Sequence, residues 1–273
     1  CTDFKGRGCS AGNTPYGNSF FSVVGQEIGH QWNGLHTWNH CDATTEPFPN
    51  YERCEPGSGS TIMSYAGSCG NDNVQGNSDL YYHVCSIFGI RNFVENGNGK
   101  LCGENITTTN TPPVATIPYQ DNFFIPIETP FVLTGSATDA DGDALTYNWD
   151  EVDLGPLVPM SSPQGSSPIF RSYPPNVDPT RTFPRLQDII FNTTDDSEKL
   201  PTYTRDLTFC LIARDDKPGG GGLGIDTLAF HATAQAGPFL VTYPNANSVV
   251  WYTGEYQTVT WDVANTDKAL VNC

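Results

Sequence analysis

Positive charge is scarce in this sequence. Thirteen Lys and Arg stand against thirty Asp and Glu in 273 residues, a net charge of −17. A surface of that sign repels phosphate backbones and anionic headgroups, which excludes nucleic acid or an acidic membrane as a partner held by bulk charge. No apolar run reaches the roughly 20 residues that a membrane-crossing helix needs, so no membrane insertion is expected. No secretory leader is present either. Cys1 as first residue, and Cys273 just after a strand-like segment, read as ends cut from a longer polypeptide, so the missing leader does not argue against secretion. None of the nine cysteines forms a CxxC pair, which speaks against a cysteine-only zinc site. Seven of them crowd into the first 102 residues: Cys1, Cys9, Cys41, Cys54, Cys69, Cys85 and Cys102. That crowding predicts disulfides of open pairing and an extracellular location, with Cys210 and Cys273 standing alone.

Histidine is also sparse, with five in all, yet two of them lie six residues apart in one stretch. Residues 20–39 read FFSVVGQEIGHQWNGLHTWN. The apolar spacing of Phe20, Phe21, Val23, Val24, Ile28 and Trp32 predicts a helix with one face on the core. Within it Gln26-Glu27-Ile28-Gly29-His30-Gln31-Trp32-Asn33-Gly34-Leu35-His36 follows a zinc-protease signature: two ligands four apart on one helix face, a glutamate beside the first, a glycine turn, then a third ligand. Gln26 stands where the signature has its first histidine, and Asn33 where it has glycine. Asn tolerates the left-handed conformation that ends a helix. An amide oxygen, in contrast, is a weak zinc ligand beside an imidazole nitrogen.

Downstream, Gly57 to Gly67 reads GSGSTIMSYAG. Together with KGRGC at Lys5–Cys9 and NSDLYYH at Asn77–His83, these segments resemble the reprolysin-like metzincin proteases secreted by bacteria of the Bacteroidetes type, over residues 1–95. The resemblance implies zinc as cofactor, with His30 and His36 as ligands and Gln26 at the third position. It implies Glu27 as general base, Met63 as the apolar floor beneath the ligands, and Tyr65 as the group that steadies the oxyanion. Proteins or peptides would be the substrates. His40 is expected as a solvated loop residue and His83 as a packed or hydrogen-bonded one; His231 is given no role.

Residues 1–19 are turn-rich, residues 40–76 irregular, and Asp79–Val94 has the spacing of a helix. Residues 96–113 read as a linker. Two glycosylation sequons, at Asn105 and Asn192, are a motif common by chance, and a bacterial source would make them uninformative. From Val114 the pattern turns to short alternating strands, FVLTGSATD, ALTYNWDEV, RDLTFCLIARD and IDTLAFHATA, which predict a β-sandwich to about Ala236. SATDADGDALTYNWD resembles the calcium turn of cadherin-like and PKD-type modules, which makes Asp139, Asp141, Asp143 and Asp216 candidate calcium ligands, with Asp215 at the same pole. The proline-rich insertion from Gly155 to Pro201 is not expected to contain regular strand. At Ala236 a further immunoglobulin-like module begins.

The expected fold is therefore multidomain. A partial α+β metzincin domain (1–95, active-site helix and lower subdomain) and a linker (96–113) precede all-β sandwich modules (114–236, and the start of another at 237–273). The expected function is a secreted zinc endopeptidase. The alternative is a degenerate protease that serves as an extracellular binding, adhesion or structural protein, meeting a surface or matrix partner through its β modules.

Overall fold

The computed structural model describes residues 16–41, 52–101, 103–104, 106–246, 248–268 and 270–271. The segment 1–15 with its KGRGC run, residues 42–51, Asn105, and Cys1, Cys9, Cys102 and Cys273 lie outside the described residues. The fold is mixed, with few helices and several sheets. Helix α1 spans Asn18–Gln31 and α2 Val84–Glu95, with a short α3 at Leu186–Phe191. Among the described residues there are ten strands: β1 Val114–Thr116, β2 Phe124–Pro126, β3 Phe131–Thr134, β4 Ser136–Thr138, β5 Thr146–Glu151, β6 Thr180–Phe183, β7 Arg205–Arg214, β8 Leu223–Thr233, β9 Leu240–Tyr243 and β10 Thr260–Asp262. No helix among the described residues is long and apolar enough to cross a membrane.

Four strands form one sheet in the order β2-β8-β7-β5, parallel only at β2–β8. Its central strand β7 is buried almost throughout, because both of its faces are covered. Leu207, Phe209 and Leu211 point into an aromatic core shared with Phe230 of β8, Trp149 of β5, and Leu133 and Phe183 of the β3–β6 ribbon. Cys210 and Ile212 point the other way, onto Val84 at the start of α2. Burial pushes the free Cys210 thiol up to about 12, so it stays protonated and behaves as a small apolar side chain. The exposed β9–β10 ribbon stands apart as its own antiparallel pair.

Three elements depart from the sequence reading. Helix α2 begins at Val84, five residues later than the apolar spacing suggests. Its cap is His83, whose ring nitrogen accepts from Cys85 N at 3.2 Å, while backbone bonds from Ile62 N to Tyr81 O and from Asp79 N to Ser60 O hold the preceding residues extended. The proline-rich insertion does contain a strand: Thr180–Phe183 pairs antiparallel with β3, and α3 follows it. Flanking prolines are compatible with a strand that pairs on one side only. Finally, α1 buries its predicted apolar face only in part: Phe20, Val23 and Val24 are half-buried, Phe21, Ile28 and the C-cap Trp32 are exposed, and only Gly29 is buried.

The long insertion folds back over residues 52–95. Ser60 Oγ donates to Ser172 O at 3.2 Å, Tyr81 OH to Ser172 Oγ at 2.7 Å, and Ser172 Oγ in turn to Asp150 Oδ1 at 2.5 Å. Asp150, fully buried on β5, also accepts the amide of Val84 at 2.9 Å. Asn39 and Asp72 bond the backbone of 156–160. The stretch 96–113 is anchored as well, by Asn110 to Asp215 at 2.7 Å and by Thr111 N to Asp141 at 2.6 Å.

Candidate metal centre

Helix α1 meets the 57–67 turn through its small residues. A Cβ built at Gly25 would lie 3.3 Å from Ile62, and one at Gly29 only 2.5 Å from Met63 Sδ. The two glycines, four apart, let the turn approach the helix closely, Gly25 against Ile62 and Gly29 against the fully buried Met63. One residue on, also four apart, stand Gln26 and His30. The helix ends as Asn33 takes the left-handed conformation at φ 66°, as expected of asparagine there, and Gly34 N bonds back to Gly29 O at 2.8 Å. That reversal brings His36 round to His30.

The two imidazoles converge edge to face, with His30 Nε2 3.1 Å from His36 Nε2. His30 Nδ1 lies 2.9 Å from Gly34 O, an acceptor only, so this nitrogen carries the proton and Nε2 presents its lone pair toward His36. Tetrahedral zinc bonds nitrogen at about 2.0–2.1 Å, which separates two nitrogen ligands by little more than about 3 Å, so the pair fits that ion. The third position fits less well. Gln26 offers a carbonyl oxygen, and its amide nitrogen donates to Ser64 O of the turn at 3.3 Å. Glu27, next to Gln26, is half-buried on α1. Tyr65 sets its ring against His36 at 4.5 Å and Trp38 at 5.5 Å. A cleft of about 410 Å³ opens beside this group between α1 and the residues after the turn, with Val23, Gln26, Ile62, Ser64 and Tyr65 in its walls.

The remaining histidines bond elsewhere. His40 Nδ1 lies 2.7 Å from Asp72 Oδ2, and His231 Nδ1 2.6 Å from Asp206. His83 is buried beside Cys54 and Cys85, but those two sulfurs are joined to each other, as are Cys41 and Cys69. Asp139, Asp141 and Asp143 do converge, with oxygens within 4.8 Å of one another. The positive charge among them is the Lys217 ammonium, 2.8 Å from Asp143 and 3.8 Å from Asp141. Asp216 stays outside that group, accepting from Thr146 Oγ1 at 3.0 Å. Asp215 folds its own loop by accepting from Gly222 N at 2.7 Å and Lys217 N at 3.1 Å.

Glu55 escaped the sequence reading. It is fully buried and bonds both the His36 segment and the 57–67 turn, the methionine turn around Met63. Its partners lie up to 18 residues away in sequence, and no periodicity announces them.

Residues 2–93 match the family model described as metallo-peptidase family M12B, reprolysin-like. No curated protein matches the chain. The family match supports a zinc metallopeptidase acting on proteins or peptides, and it spans α1, the methionine turn and most of α2.

Proposed function

We propose that the chain belongs to a secreted zinc-dependent endopeptidase of reprolysin-like type. Residues 1–95 would be its active-site helix and lower subdomain, 96–113 a connecting stretch, and 114–236 and 237–273 cadherin- or PKD-like and immunoglobulin-like β modules. The observation that carries the reading is the approach of His30 Nε2 to His36 Nε2, 3.1 Å, at the end of a helix whose Gly29 packs on the buried Met63. The disulfides Cys41–Cys69 and Cys54–Cys85 support an oxidising, extracellular setting.

His30 and His36 would hold the metal, with the Gln26 carbonyl at the third corner. Zinc, when bound, polarises a carbonyl and eases deprotonation of water. Glu27, beside the metal ligands on α1, takes the proton of the attacking water and returns it to the leaving amine. Tyr65 donates toward the developing oxyanion from its place against His36. Met63 is a packing floor and no ligand. The cleft beside Gln26 and Ile62 would receive a substrate side chain. A calcium role for Asp139, Asp141 and Asp143 would require Lys217 to swing away.

A second reading has one observation in its favour. The Gln26 amide is tied to Ser64 O, a bond that closes α1 onto the turn without any metal. In that reading the domain is a degenerate protease that binds or scaffolds through its β modules.

Peptide hydrolysis in added zinc, measured for the natural chain and for Glu27→Gln, separates the two. The endopeptidase reading expects turnover that falls by at least a hundredfold in Glu27→Gln, in the range of a lost general base. Turnover absent from the natural chain but rescued by Gln26→His would favour the degenerate-protease reading.

A further inference from the structure

Glu55 is a fully buried carboxylate with no cation within ion-pair distance among the described residues. Burying such a group is costly unless hydrogen bonds satisfy it. Five donors do so. Oε1 accepts from Ser60 N at 2.8 Å, Ser60 Oγ at 3.1 Å and Thr61 N at 3.2 Å. Oε2 accepts from Thr37 Oγ1 at 2.5 Å and Thr61 Oγ1 at 2.6 Å. The backbone repeats the connection: Glu55 N donates to Thr37 O at 2.9 Å, and Thr37 N donates to Met63 O at 3.1 Å. Thr37 directly follows His36, and Thr61 stands two residues before Met63. One side chain thus joins the segment that carries a histidine of the pair to the turn that carries the methionine. Ser60 extends the connection to Ser172 and Asp150 of the β region.

We propose that Glu55 is a positioning residue for the histidine pair: by tying Thr37 to Ser60 and Thr61 it fixes His36 against the turn that carries Met63, and so fixes the approach of its imidazole to His30. The proposal rests on reading His30 and His36 as a metal-binding pair. The Glu55 side chain reaches the His36 segment through Thr37, and its backbone adds bonds from Glu55 N to Thr37 O and from Asn39 N to Glu55 O. A carboxylate suits the task because it accepts from several donors at once, whereas an amide at the same place would turn its NH₂ against them.

The test uses the full chain and three variants: Glu55→Gln, Thr37→Val, which deletes one tether while keeping shape, and Thr37→Ser, which keeps the hydroxyl. In the metal-free proteins the imidazole resonances of His36 and His231 are compared, with thermal unfolding as a check on folding. The expected result is a moved His36 signal in Glu55→Gln and Thr37→Val, an unmoved one in Thr37→Ser, and an unmoved His231 in all three. Titration with zinc alone, in the natural chain and in the Gln26→His background, is expected to show affinity lowered roughly tenfold or more by Thr37→Val and retained by Thr37→Ser. Variants that melt earlier but leave the His36 signal and the zinc affinity unchanged would overturn the proposal and leave Glu55 a purely structural residue. A moved His36 signal with no zinc binding in either background would uphold the positioning role and overturn the metal reading on which it was built.

Discussion

Single buried groups decide much of this molecule, and Glu198 is one whose contribution depends on pH. It is almost wholly buried, paired with Arg181 at 2.5 Å, and accepts from Arg185 N at 3.2 Å. Burial raises its carboxyl from 4.5 to about 7 despite the opposing pull of Arg181. The folded chain therefore holds that proton more tightly than the unfolded one. Its contribution to stability is complete below the unfolded value of 4.5 and is lost as pH rises through about 7. Comparing denaturant midpoints at about pH 5 and about pH 8 for the natural chain and Glu198→Gln isolates this group from the other buried carboxyls. The variant is expected to lose less stability over that interval. Equal losses would contradict the assignment. At the same scale, Gln26, His30 and His36 were legible because one short motif contains them. Glu55 and Glu198 were not, since each acquires meaning only from partners that folding supplies.

Among the elements, α1 shows how a helix can be built for its small side. Its glycines face the methionine turn, and its bulky residues Phe21, Ile28 and Trp32 are exposed. Replacing a helical glycine by alanine ordinarily gains up to about 1 kcal/mol. At Gly25 the added carbon would meet Ile62 at 3.3 Å, and Gly25→Ala is expected to be close to neutral. At Gly29 it would lie 2.5 Å from Met63 Sδ and 3.2 Å from Tyr82, inside a packed floor. Gly29→Ala is expected to cost about 1–3 kcal/mol by overpacking, read from chemical unfolding. A Gly29→Ala chain as stable as Gly25→Ala would mean that Met63 does not seat against the helix. The existence of α1 and the long strands β5, β7 and β8 could be read from apolar period alone. Strand β6 could not, because the prolines around Thr180–Phe183 resemble loop punctuation and its partner β3 lies far back in the chain. The late start of α2 was hidden because the apolar spacing continues upstream through residues that the 60–62 segment holds extended.

For the whole molecule, the notable departure from a string of independent modules is the buried path from Glu55 through Ser60 and Ser172 to Asp150 and the start of α2. The β region thereby touches the turn that carries Met63, and Val84 of α2 packs on the face of β7 that bears Cys210 and Ile212. No local pattern in the sequence foretells contacts of this kind, which join residues more than a hundred positions apart such as Ser60 and Ser172. The account requires this assembly to hold two imidazoles in place for zinc while the third corner is served by an amide. Structural zinc sites are worth roughly 10–16 kcal/mol over four ligands, so a weak ligand in place of a good one costs on the order of two powers of ten in affinity. Zinc titration of the natural chain beside Gln26→His and the double variant His30→Ala/His36→Ala tests this most directly. The account predicts about one zinc per chain in Gln26→His, binding weaker by about a hundredfold in the natural chain, and none in the double variant. Binding absent from Gln26→His, or undiminished when both histidines are removed, would contradict it.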